Sequence, residues 1–112
     1  MPIELRDVRR ISAGATRTVK VDCSLWLDGD ALLTGTPSVD EVTTTALTIS
    51  NKSINTSVVT INKQRVAIGK AVLFVVTMPA NGAGTTYRVR VTPTSDDSPA
   101  NSEPIDLFLR CV

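Results

Sequence analysis

The sequence contains no histidine. That removes the side chain most often used as a general base near neutral pH, and with it the commonest metal ligand. Cysteine is almost as scarce. Cys23 and Cys111 stand 88 positions apart, which excludes the paired spacing of a zinc site and any disulfide framework. Buried free thiols are the expected state. Aromatic residues make up 4% of the chain, as Trp26, Phe74, Tyr87 and Phe108. The core must therefore be aliphatic, and few rings are left over to face a sugar. The longest apolar run, Ala71 to Val76, has six residues, far short of the roughly 20 that a membrane-spanning helix needs. The segment Met1 to Asp7 carries charges where a secretion signal needs an apolar stretch. These absences predict a protein without catalytic residues, cofactor or metal, with no membrane partner, made in a soluble intracellular setting or in a particle assembled there.

What is present points to β structure. The chain has 112 residues, 42% of them apolar and 21% charged, which suits one globular domain with a single core. Fourteen are Val, and Thr is frequent, as in Thr43-Thr44-Thr45; both fit a pleated surface better than a helix. The formal net charge of +1 argues against a protein held to nucleic acid by a broad basic surface. The charges are nevertheless segregated. Residues 1–20 hold Arg6, Arg9, Arg10, Arg17 and Lys20 against Glu4 and Asp7, and residues 22–41 hold Asp22, Asp28, Asp30, Asp40 and Glu41 with no basic residue. Asp96, Asp97, Glu103 and Asp106 make a second acidic stretch. Two readings stay open: a solvated surface, or a basic N-terminal arm that lies on an acidic neighbour, including another copy of the chain.

Strict alternation of apolar and polar residues appears first from Arg17 to Leu27, where Val19, Val21, Cys23, Leu25 and Leu27 share a face. Asp28-Gly29-Asp30 supplies a turn. Shorter strands are expected at Ala31 to Thr36, ended by Pro37, and at Ala46 to Ser50, ended by a turn at Asn51-Lys52-Ser53. Others are expected at Val58 to Ile61 and Arg65 to Ile68, on either side of a reversal at Asn62-Lys63-Gln64. Gly69-Lys70 marks a bend before the run Ala71 to Met78, which is apolar on both faces, as a central strand is. Pro79 to Gly84 is a loop, Tyr87 to Val91 a strand, Pro93 to Pro104 a polar loop, and Ile105 to Cys111 a closing strand. No segment carries an apolar stripe at helical spacing. About seven short strands separated by turns imply an all-β sandwich or small barrel. Residues 1–15 lack periodicity and are expected to form an N-terminal arm outside a β-sandwich domain of residues 16–112.

Several motifs resemble chemical sites, and each has a simpler structural account. Asp28-Gly29-Asp30 begins like a calcium loop, but the twelve-residue ligand series does not follow, and a strand-ending turn accounts for it better. Gly82-Ala83-Gly84 lacks the Lys-Ser/Thr of a phosphate loop and suits a hairpin connection. Asn51-Lys52-Ser53 and Asn55-Thr56-Ser57 match a glycosylation acceptor that has no use without secretion. Arg88 and Arg90 could form a nucleic-acid platform with Tyr87, but alternation puts Tyr87 on the opposite face of the strand.

The stretch from Val19 to Leu32, with Trp26, Leu27, Gly29, Asp30 and Leu32 in place, resembles a motif of small structural proteins of tailed bacteriophages. In those proteins an alternating strand leads to Trp-Leu, then Gly-Asp, then an apolar residue. The segment Gly84 to Val91 resembles the same proteins' Gly-Thr-x-Tyr strand, and the likeness extends over residues 17–112. It implies an immunoglobulin-like sandwich of about seven strands, found among capsid decoration or cement proteins and among parts of tails and fibres. Trp26 can plug one end of such a core, and Tyr87 can do similar work with its hydroxyl at the rim. Cys23, Trp26 and Cys111 do not have the spacing of an antibody-type domain, so an inter-sheet disulfide is not implied.

The resemblance implies a virion structural protein on the capsid surface, assembled in the host cytoplasm, whose partners are the major capsid protein and further copies of itself as a homodimer or homotrimer. The alternative is a tail, neck or fibre module that binds another virion protein or the host surface. The residues expected to make the protein contact are Arg6, Arg9 and Arg10 of the N-terminal arm.

Overall fold

The computed structural model describes residues 3–24, 27, 31–42, 46–61, 63–96, 102 and 104–112, with side chains from Arg9 onward. Leu25, Trp26, Asp28-Gly29-Asp30, Thr43-Thr44-Thr45, Asn62, Asp97 and Glu103 lie outside the described residues, and so does the side chain of Arg6.

The described residues form nine strands: β1 (Ile3–Ile11), β2 (Thr16–Asp22), β3 (Leu33–Glu41), β4 (Thr48–Ile54), β5 (Val59–Ile61), β6 (Gln64–Val66), β7 (Ala71–Thr77), β8 (Thr86–Ser95) and β9 (Ile105–Cys111). They are arranged as a four-stranded sheet in the order β1-β9-β8-β3, a three-stranded sheet in the order β2-β7-β4, and a separate β5-β6 hairpin. Every pairing is antiparallel except β1 with β9, which is parallel. The chain changes sheet at each of its first three connections. That gives the immunoglobulin-type division of strands, with second, fifth and fourth in one layer and third, sixth and seventh in the other, once the β5-β6 hairpin is set aside as an insertion. The chain is an all-β sandwich.

Alternation builds the core. Val19 and Val21 of β2 and Val72, Phe74 and Val76 of β7 project from one layer. They meet Val39, Tyr87, Val89, Val91, Ile105, Leu107 and Leu109 from the other, all buried. Strand β7 is the central strand of its sheet, and its second face, Leu73, Val75 and Thr77, is half-buried. Ile61 and Val66 of the hairpin make a small second cluster with Ala71.

Several strands run past the points where turn residues were expected to stop them. Strand β3 continues through Pro37, and its register against β8 slips between Thr34 and Ser38, where Gly35 has φ +71°. A proline is tolerated there because β3 is an edge strand and the bulge needs no N–H from it. Strand β4 absorbs Asn51-Lys52-Ser53 in the same way, with a slip between Ser50 and Ser53 and Asn51 at φ 53°. Strand β8 keeps going to Ser95 through Pro93, beyond Val91, the last residue it pairs with β9. Conversely, β2 stops at Asp22, whose Oδ1 accepts a hydrogen bond from the Ser24 amide at 2.9 Å and turns the chain.

The largest correction concerns the N-terminus. Residues 1–15 were expected as an arm outside the sandwich, yet Ile3–Ile11 is an edge strand of the four-stranded sheet and Ile11 belongs to the core. The alternation was hidden because the charged Arg9 stands at an inward position in phase with Ile11, and because β1 carries two extra residues between Glu4 and Val8 that interrupt its pairing with β9.

A candidate binding trough between two strand edges

Strands β3 and β4 approach each other along one side of the sandwich, while on the other side β1 and β2 are the outer strands of their sheets. Among the described residues each of these two pairs along one flank only, so a sheet edge lies open on each side of the gap. Arg9 is in register with the buried Leu109, and Ile11 with the buried Cys111. Strand alternation therefore aims Arg9 toward the space between the layers. A guanidinium cannot be left dry in an aliphatic core. Arg9 stays half-buried at the open side and spans the gap, its Nη2 donating to the backbone carbonyl of Lys20 on β2 at 3.0 Å.

On β2, Arg17 continues the inward series of Val19 and Val21 but sits at the exposed start of the strand, while Thr18 and Lys20 face outward. A cavity of about 320 Å³ results, walled by Arg9, Arg10, Arg17 and Thr18 over a floor of Ile11 and Val19. Beyond Arg9 and Thr18 a second depression of about 240 Å³ continues past Lys20 to Thr60 and Ile61 of the hairpin. The two depressions lie end to end along the strand edges, with the Arg9 side chain crossing between them, and together make a segmented trough. Among the described residues no carboxylate lines either part, and Arg9, Arg10, Arg17 and Lys20 form no ion pair. Arg9 and Arg17 are on the inward faces of their strands and Arg10 and Lys20 on the outer faces beside the gap. With no carboxylate beside them among the described residues, they give the trough a positive potential suited to an anionic partner.

The expected contact residues Arg9 and Arg10 therefore come together here, as part of a folded strand and not of an arm. Arg6 lies on the same strand, β1. Arg17 and Lys20 were counted in the basic N-terminal charge but not as contacts. Only the pairing of β1 with β9 and of β2 with β7, which leaves the two strands side by side across the gap, makes them neighbours of Arg9.

The other arginine cluster is spent internally. Arg88 and Arg90 face away from the core on β8, opposite to the buried Tyr87, and both bind Asp106 on β9. The Arg88 guanidinium also lies over the Phe108 ring, 5.6 Å from its centre. Held on one shared buried carboxylate, these two are poorer candidates for nucleic-acid contacts than free guanidinium groups. Both cysteines are free and buried, and burial, reinforced by Asp22, pushes the Cys23 thiol up to about 12. The Asn55 amide donates to the carbonyls of Ser57 and Ala67 at 2.9 Å each, which leaves no N–H for a glycan. Among the described residues no group of three His, Cys, Asp or Glu side chains could hold a metal ion, and no helix is long and apolar enough to cross a membrane.

No family model and no curated protein matches this chain. Among solved structures it is similar to a nucleoside hydrolase-related hypothetical protein from Saccharophagus degradans that is associated with carbohydrate metabolism, at 20% sequence identity and a TM-score of 0.51. The match covers 99% of this chain but only 22% of that one, and at such identity it speaks for the sandwich fold alone.

Proposed function

We propose that this chain is a structural binding module of a tailed-bacteriophage virion, a capsid decoration protein that docks on the major capsid protein and stabilises the shell. The observation that carries this reading is the trough: its cations, without an ion pair among the described residues, lie along two open strand edges, an arrangement by which a sandwich can hold another protein chain. The resemblance of Val19 to Leu32 and Gly84 to Val91 to phage modules supplies the setting. Tyr87 of that second segment is buried in the core, in keeping with the structural role the resemblance gives it. A ligand that binds only the assembled shell stabilises it by mass action, and a homodimer or homotrimer of the module would bridge several shell subunits at once.

The test is sedimentation of purified protein with empty shells, followed by heating. Binding with a raised shell melting temperature is expected; free protein in the supernatant at saturating concentration overturns the proposal. Copy number in intact virions separates the alternatives. A stoichiometry close to that of the capsid protein means shell, and a single ring of copies means a tail, neck or fibre position.

A further inference from the structure

We infer that the β1–β2 trough takes an acidic segment of a partner protein in extended conformation, laid along the open strand edges. This deepens the docking proposed above by naming the chemistry of the partner surface. The argument rests on three features of the trough. Among the described residues its lining holds Arg9, Arg10, Arg17 and Lys20 and no carboxylate, so the complement is anionic. Its floor is Ile11 and Val19, with Ile61 at the far end, which asks for apolar side chains between the acids. Its long direction follows β1 and β2, each paired on one flank only among the described residues, so an incoming chain meets backbone groups able to form a new ladder. A strand with acids on one face and Val or Thr on the other satisfies all three, because its side chains alternate as the trough does.

A nucleic-acid strand fits less well. Single-stranded binding relies on aromatic platforms for the bases, and among the described residues no aromatic side chain lines the trough. Phe74 and Tyr87 are in the core, and Phe108 lies on the outer face of the other sheet's central pair.

The probe is a fluorescein-labelled peptide of alternating Glu and Val, followed by fluorescence polarisation. Three competitors accompany it: the same peptide with Gln for Glu, an Ala-rich helical peptide of equal charge, and an oligothymidylate of equal charge. The Glu-Val peptide is expected to bind best, with an affinity that falls as salt rises. Reversing two wall charges, Arg17→Glu with Lys20→Glu, is expected to weaken it about tenfold or more. Lys52→Glu, on the far strand β4, is expected to leave it unchanged. Amide chemical-shift changes in the unmodified protein should fall on β1 and β2, a readout that does not depend on how the variants fold. Equal binding of the Gln peptide, tighter binding of the oligothymidylate or the helical peptide, or shifts confined to another face each overturn the inference. The two proposals fail separately. Shells that bind the double charge-reversal variant as well as the original protein sink the trough and spare the decoration reading. Peptide binding without shell binding does the reverse.

Discussion

Arg90 holds the carboxylate of Asp106 through two nitrogens, Nε at 2.8 Å and Nη2 at 3.1 Å, and the Asp106 side chain has no exposed surface at all. Arg88 donates to the same carboxylate from two residues earlier on β8. A buried carboxylate without such partners would be costly; with two guanidinium groups over it, it ties β8 to β9 on the outer face of the sheet. The Arg90 hydrogen bond, working against burial and helped by Arg88, holds the Asp106 carboxyl below the usual carboxylate range.

A group whose folded value is lowered adds stability above its unfolded value, and that stability is lost as pH falls through the folded value. Asp106 should therefore contribute fully above about pH 4, the ordinary value of an aspartate, and progressively less below it. Urea unfolding of the original protein and of Asp106→Asn across the acid range should give two curves that converge at low pH. Parallel curves would show that the carboxylate charge contributes nothing.

Asn55 uses its side chain to the full. Nδ2 donates to two carbonyls, and Oδ1 accepts from the amides of Lys70 at 3.1 Å and Ala71 at 2.9 Å. It thereby closes the base of the β5-β6 insertion onto β7. In Asn55→Ala the Lys70 amide and the Ala67 carbonyl keep their bond to each other at 3.2 Å, but the Ser57 carbonyl and the Ala71 amide lose the Asn55 side chain at a buried position, at a cost of about 2–4 kcal/mol. Hydrogen exchange should locate the damage, with the Ala71 amide losing protection before the amides of β8. Uniform loss across the sandwich would contradict a local role.

Gly82 packs so closely on Tyr87 that an added Cβ would lie 2.7 Å from the phenol oxygen and 2.7 Å from Cγ of Pro79. Gly82→Ala should cost about 1–3 kcal/mol through overpacking. In a Tyr87→Phe background part of that cost should disappear, because one of the two close atoms is gone. A double-mutant cycle by thermal unfolding reads this coupling directly; strictly additive effects would place the strain elsewhere.

The thiols should be silent in the native protein. Cys23 is buried and held to a value of about 12, so almost none of it is thiolate at pH 8. Ellman's reagent should react in one burst only after denaturant is added. Rapid reaction of the native protein with a full equivalent would mean that the β2 end of the core opens readily.

The sandwich was legible in the sequence wherever side-chain alternation ran unbroken, as from Val19 to Val21, Tyr87 to Val91 and Ile105 to Cys111. It was misread wherever a strand held a bulge. The single extra residue in β4 shifts the phase of the pattern, the two extra residues in β1 and in β3 interrupt pairing without shifting it, and Pro37 or Asn51 then looks like an end when it is a kink inside a strand. The site was legible by half for a different reason. Arg9 and Arg10 stood out as a charge pair, but nothing local tells that Arg17 and Lys20 lie across a gap from them. That neighbourhood is made by β1 and β2 each pairing with a distant segment, in different sheets.

The parallel ladder between β1 and β9 has a mechanical consequence. Ile3 lies beside Ile105 and Ile11 beside Cys111, so the incoming end of β1 and the outgoing end of β9 are at opposite poles of the molecule. Tension applied through the two ends therefore runs along the ladder, and its evenly spaced bonds share the load in shear instead of opening one at a time. In a single-molecule pulling experiment the domain should yield in one abrupt step at high force, with β1 parting from β9 first; a gradual low-force extension would show that the ladder carries no load.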